Sequence, residues 1–168
     1  MVVKATSRVN IQYLDIAYLG LFLGLRVNEL VRQRMERAGF AGVRDSHGYL
    51  IQHLIESDRS ITELARRMNI TQQAVSKTVR ELTRLGLLES SPAKDRRSKR
   101  VRLSRDGWEC VRFGRRVRKQ LEKRLTAAAD RRKYGQAKAT IIQCLHILGG
   151  LGAIKSRLIR QPDQSRVV

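Results

Sequence analysis

The sequence predicts a mainly α chain with a small β-wing: a winged helix-turn-helix with N- and C-terminal dimerisation helices. Three observations predict it. Two capped helical segments follow one another across a short turn within residues 60–85, and the second carries an outward face of amides and cations. A short alternating hairpin with a basic loop comes next, over residues 87–103. Stretches with apolar residues at helical spacing lie on both sides of this unit, and they hold more apolar surface than so small a domain can cover.

Taken in order, residues 1–9 read as a flexible arm. Residues 10–44 read as an N-terminal dimerisation helix. From Asn10 to Ala38 there is no proline, and Ile11, Leu14, Tyr18, Leu21, Leu25 and Met35 recur at helical spacing. Gly20 and Gly24 weaken that helix unless another helix packs closely against them, and Gly39 and Gly42 end it. Asp45 or Ser46 caps a second helix through about Glu56, with Leu50, Ile51 and Leu54 facing the core. His47 and His53 are six apart, so they do not share a helix face. They read as partly buried structural residues rather than a metal pair.

Residues 45–104 form the winged unit. Ser60 and Glu63 have the spacing of a capping box, in which each side chain serves the other's backbone N–H. Leu64, Ala65 and Met68 then share a face. Asn69 breaks the pattern and Thr71 caps the next helix. Val75, Thr78, Val79, Leu82 and Leu85 are expected inward; Gln72, Gln73, Ser76, Lys77 and Arg80 outward. Gly86 supplies the left-handed C-cap. Leu87 to Ser91 reads as one strand. Lys99 to Leu103 reads as its partner, with Val101 and Leu103 inward and Arg100 and Arg102 outward. The tip between them, residues 92–98, is basic.

Residues 105–160 are expected to hold two C-terminal dimerisation helices, and 161–168 a tail. Ser104 caps the first of them, with Trp108 near its start and Cys110, Val117, Leu121, Leu125 and Ala128 as its apolar stripe. Residues 130–135 are expected to break it. The last helix runs from about Gln136 to Arg160, with Gly149, Gly150 and Gly152 marking a close helix contact or a kink.

The charge is not spread evenly. The 168 residues carry a net charge of +20 with a sequence pI near 11.3, which calls for a polyanionic partner. Residues 71–103 hold nine cations and three anions; residues 104–133 hold eleven and four. Those two stretches supply +6 and +7 of the total, which points to phosphate contact. Cys110 and Cys144 show neither metal spacing nor a disulfide framework, so a reducing compartment fits, and both read as inert thiols on apolar stripes. The apolar run from Ile16 to Leu25 is too short to span a bilayer, and no small-residue cleavage site follows it. The chain reads as cytoplasmic.

The middle third of the chain resembles the winged-helix core of the MarR family of bacterial transcriptional regulators. The resemblance rests on Ser60-x-x-Glu63-Leu64-Ala65, on the Thr71-led helix ending in Leu82-x-x-Leu85-Gly86-Leu87, on the wing Asp95-Arg96-Arg97, and on Leu103-Ser104-x-x-Gly107. It departs from the usual pattern at Ser104, where the family has threonine; the N-cap chemistry is kept. The resemblance implies a homodimer on double-stranded DNA, mostly as a repressor, with a small anionic or phenolic effector bound between the dimer helices and the winged domain.

The expected DNA contacts are Thr71, Gln72, Gln73, Ser76, Lys77, Arg80, Arg96, Arg97 and Lys99. Glutamine can bond adenine through two contacts in the major groove, whereas Arg97 suits a narrow minor groove. Asp95 is expected to pair with Arg97 and fix its angle. A ligand pocket would draw on Tyr18, Tyr49, His53 and Trp108. No cofactor, metal or membrane partner is expected. The rival reading is a non-specific architectural binder of nucleic acid, which the same charge would serve. No Walker loop, dinucleotide fingerprint or HExxH is found, so an enzyme is not expected.

Overall fold

A computed structural model describes residues 9–91 and 100–156. The helices are α1 (Ile16–Arg37), α2 (Asp45–Leu54), α3 (Ile61–Met68), α4 (Gln72–Arg84), α5 (Arg105–Ala128), α6 (Arg131–Ile147) and α7 (Leu151–Ser156). The strands are β1 (Arg59–Ser60), β2 (Leu88–Ser91) and β3 (Arg100–Leu103), in one antiparallel sheet of order β1-β3-β2. Of the expected arm at 1–9 only Val9 is described, and the tail at 161–168 lies outside the described residues.

The winged unit closes around one cluster. Leu50, Leu64, Val75 and Leu82 are wholly buried, and Leu54, Leu87, Leu88, Val101, Leu103 and Cys110 complete the packing. Each fully buried leucine contributes about 1.5–3 kcal/mol. The sheet keeps its register because Val101 and Leu103 alternate inward on β3, opposite Ser90 and Leu88. A second, smaller cluster joins α1 to α5 through Val31, Val117 and Leu121.

Several boundaries differ from expectation, each for a local reason. The first helix does not run from Asn10. Residues Ile11–Tyr13 make a 3-10 turn, Leu14 is extended, and the Asp15 carboxylate accepts the Tyr18 N–H at 2.8 Å to start α1. The second helix begins after Arg44, not after Asp45 or Ser46, and stops at Leu54. β2 starts at Leu88, because the Leu87 N–H is spent on the Leu82 carbonyl in the turn that ends α4. The pairing strand β1 was not foreseen; at two residues it has no alternation to read.

Of the inward set on α4, Val75, Val79 and Leu82 are buried, but Leu85 is 37% exposed and the Thr78 hydroxyl donates back to the Ala74 carbonyl. The last helix is two helices, not one. The expected break at 130–135 shrinks to Asp130, whose positive φ turns the chain and whose carboxylate accepts the N–H groups of Arg132 and Lys133. A second turn at Gly149, with φ +71, separates α6 from α7.

Among the described residues no helix is long and apolar enough to cross a membrane. The apolar residues of α1 from Ile16 to Leu25 are exposed all round the helix, and Ile141, Ile142, Ile147 and Leu148 at the far end of the chain are exposed as well.

Candidate nucleic-acid interface

The helix-turn-helix is built from three local devices. The Ser60 N–H donates to the Glu63 carboxylate at 2.7 Å, and the Glu63 N–H to Ser60 Oγ at 3.2 Å, which starts α3. Asn69 takes the left-handed conformation, with φ +51, and ends it. Thr71 Oγ1 then accepts the Ala74 N–H at 3.2 Å and starts α4 only three residues after α3 stops. Two helices so close in sequence, sharing Leu64, Val75 and Leu82 in one core, have little freedom of angle.

With Val75, Val79 and Leu82 inward, the other side of α4 is set by the helical repeat. Thr71, Gln72, Gln73, Lys77 and Arg80 are exposed and Ser76 is half-buried. The structure thus brings six of the expected contacts to one side of one helix. Asp95, Arg96, Arg97 and Lys99 lie outside the described residues.

Two ion-pair networks hold this helix and the base of the hairpin. Arg44 and His47 converge on Glu81 of α4. His47 is buried, with Nε2 3.2 Å from the Glu81 carboxylate, and the Arg44 guanidinium pairs with the same carboxylate. The bond to His47, then the Arg44 guanidinium, holds the Glu81 carboxyl below its usual 4.5. The second network centres on Arg100. It is not a free outward cation: Nη2 donates to the Asp58 carbonyl at 2.8 Å and to Glu63 at 3.1 Å. Arg102 is half-buried and pairs with Glu89 at 2.7 Å. Glu63 is held low first by the Ser60 backbone N–H, with Arg100 and Arg59 adding attraction. Neither network has a signal in the sequence, since the bonds that Glu81 accepts and that Arg100 donates join residues 34 to 42 apart.

The hairpin joins α5 through an unusually close approach. Ser104 Oγ donates to the Gly86 carbonyl, the Ser104 N–H donates to the Leu87 carbonyl at 3.1 Å, and Ser104 Oγ caps α5 by accepting the Gly107 N–H at 3.0 Å. A Cβ on Gly107 would stand 2.1 Å from the Leu87 carbonyl oxygen. Only glycine lets the first turn of α5 sit there. The start of α5 is therefore fixed beside the C-terminal end of α4, away from Gln72 and Gln73.

A cavity of about 610 Å³ opens between α1, α2 and α5. Of the aromatic residues expected to line a pocket, only Tyr49 does so. Tyr18 and Trp108 stand on exposed helix faces, and buried His53 packs in the winged unit, its carbonyl accepting from Arg59 at 2.8 Å. The cavity is instead rimmed by Arg32, Arg44, Arg115 and Arg118, with Asp45 the one acidic residue of its lining, although Arg44 also pairs with Glu81 and Arg32 with Glu36. Sequence reasoning missed these four arginines, because a cation at helical spacing looks the same whether it faces solvent or a cleft. Cys110 lines the cavity floor, and burial pushes its thiol up to about 11. Cys144 is half-buried. Among the described residues no three metal-ligating side chains come together.

A capped helix pair with an exposed donor-rich second helix, backed by a three-stranded sheet, defines a winged helix-turn-helix protein. Residues 41–98 match the model of the MarR family. No curated protein matches the chain in sequence. Solved structures share the fold over most of their length. MepR, a transcription regulator of the Staphylococcus aureus multidrug efflux pump MepA, is 19% identical with a TM-score of 0.65, covering 80% of this chain and 99% of its own. The S. aureus MepR-DNA complex is 20% identical with a TM-score of 0.63, covering 79% and 98%. The multiple antibiotic resistance repressor MarR is 15% identical with a TM-score of 0.58, covering 79% and 96%.

Proposed function

We propose that the protein is a sequence-specific, DNA-binding transcriptional regulator, acting as a homodimeric repressor in the cytoplasm. The observation that carries this reading is the exposed face of α4. Gln72, Gln73, Lys77 and Arg80 are presented by a helix whose opposite side is locked in the core. A helix so held can enter a major groove, where amides and cations read base edges and phosphates. Thr71 and Ser76 flank them. Arg97 enters the minor groove with Asp95 orienting it, Arg96 stands beside it among the DNA contacts, and Lys99, like Arg80, contacts phosphate.

Residues 10–44 and 105–160 are the dimerisation segments, and 45–104 the DNA-binding unit. The exposed apolar residues of α1 and α6 support this division, since a two-fold partner would cover them. Two copies of α4 would then sit about 34–36 Å apart, one turn of duplex, on a pseudo-palindromic operator. The arginine-rimmed cavity suits a small anionic effector that releases the operator. The MepR-DNA complex, a protein of the same fold, adds support for duplex DNA as the partner.

Selection of duplexes from a random pool tests this reading. Inverted half-sites are the expected outcome; equal recovery of unrelated duplexes would favour the architectural alternative, since a regulator discriminates by about 10³ or more. Gln73→Ala should relax the selected sequence. Arg97→Ala should weaken binding and lower the salt slope by about one unit. Parent-like behaviour of both variants would sink the assignment of the reading face.

A further inference from the structure

We infer that the groove between α1 and α5, with the basic stripe that continues along α5, seats the phosphate backbone of a second segment of duplex DNA, outside the operator. This rests on the DNA-binding reading above. The groove is lined by Arg34, Arg37, Phe113, Arg116, Val117 and Gln120, with three cations and no carboxylate. Arg34 is steadied by Gln120 at 3.0 Å, and the Arg116 guanidinium lies 5.4 Å from the centre of the Phe113 ring. Both are thus ordered at the rim rather than waving in solvent.

From there the stripe follows the helical repeat. Arg105, Arg112, Arg116, Lys119 and Lys123 are all exposed, and their spacing puts them on the side of α5 opposite buried Cys110, Val117 and Leu121. Glu109 stands 3.8 Å from Arg105 and 4.0 Å from Arg112, while Glu122 is taken up by Tyr134 and Lys138. Among the described residues nothing neutralises Arg37, Arg116, Lys119 or Lys123. From Arg105 to Lys123 the stripe is about 27 Å long at 1.5 Å per residue. That matches about eight base pairs of duplex at 3.4 Å each.

This surface is set apart from the recognition face. Gly107 and Ser104 tie the start of α5 to Gly86 and Leu87, beyond the C-terminal end of α4. Gln72 is a further helix length away, about 20 Å for 13 residues. Past that junction α5 leaves the winged unit and packs on α1 and α6. Within the proposed dimerisation segments the surface suited to a second copy is the exposed apolar one of α1 and α6, whereas a two-fold axis through this stripe would set its like charges against each other. The occupant with matching charge and length is a polyanionic helix.

The experiment saturates the dimer with a selected operator duplex of about 20 bp, two half-sites one turn apart. A fluorescently labelled non-operator DNA duplex is then titrated in and followed by anisotropy, with complex mass read by sedimentation. The expected result is a ternary complex. Arg37→Gln/Arg116→Gln/Lys119→Gln should weaken the second duplex about tenfold or more and lower its salt slope by about three units, leaving the operator affinity unchanged. Lys123→Gln, a milder variant, should lower that slope by about one unit. Saturation at one duplex, or a second duplex indifferent to these changes, would overturn the inference while leaving operator recognition intact. So would loss of the dimer in the variants, which would make the stripe a subunit contact, or tighter binding of duplex RNA than of DNA. Absence of operator binding in the parent would instead remove the function it rests on.

Discussion

The winged unit and the outer helices α1 and α6 use the same apolar residues to opposite effect. In the winged unit, leucines 50, 64 and 82 are fully buried in one closed cluster. In α1 only Val31 is buried, and in α6 no residue is, although Leu21, Phe22, Leu25 and Ile142 are as apolar as any core residue. The first region is complete within one chain. The second leaves its apolar residues exposed in the single chain. With the proposed dimer, the protein separates what must be rigid, the angle of α4, from what is settled only on assembly.

That contrast can be broken or sharpened by substitution. The largest effect is expected in the closed core. Leu82→Ala should cost about 2–5 kcal/mol in urea or guanidinium unfolding, since α3 and α4 cannot collapse onto the space. A value near zero would deny that the winged core is closed. Phe22→Asp in α1 should instead leave the circular dichroism of the winged unit intact and turn a dimer into a monomer in sedimentation. A dimer that survives would move the interface away from this end of α1.

Gly107→Ala tests the junction between the two regions. Its new methyl meets the Leu87 carbonyl oxygen, a backbone atom that cannot swing aside. A loss of about 1–3 kcal/mol is expected, as for other overpacked sites. The smallest effect concerns the clamp on α4. Glu81 has its carboxyl depressed in the fold, so its contribution is present above the ordinary value of 4.5 and lost as pH falls through the depressed one. Glu81→Gln should be less stable than the parent at neutral pH, and the gap should close in acid. Parallel stability curves would remove the clamp from the account.

What the sequence made legible follows the range of the interaction. The Ser60–Glu63 capping box, the Asn69 stop, the Thr71 cap and the Gly86 C-cap each involve residues within four positions, and all are observed. The exposed face of α4 follows from one helical repeat. The clamp of Arg44 and His47 on Glu81, and of Arg100 on Glu63, joins residues far apart in the chain, where neither periodicity nor propensity speaks. Competing signals misled the reading elsewhere. The apolar spacing of Ile11 and Leu14 masked the stronger cap at Asp15, which restarts the helix. Trp108 was chosen for a pocket because it is aromatic. It lies two residues before Cys110, so a helix that buries Cys110 turns Trp108 some 200° away.

The corner at Asp130 decides the length of the molecule. Arg105 to Ile147 would span about 65 Å as one uninterrupted helix. The residue at the bend is not glycine, yet it holds φ at +67, a conformation that costs about 1–3 kcal/mol and is offset by two N–H groups gathered on its carboxylate. Glu122 completes the fold-back by accepting from Tyr134 and pairing with Lys138 across the corner. A few oxygen atoms therefore hold a bend where one helix would otherwise run straight.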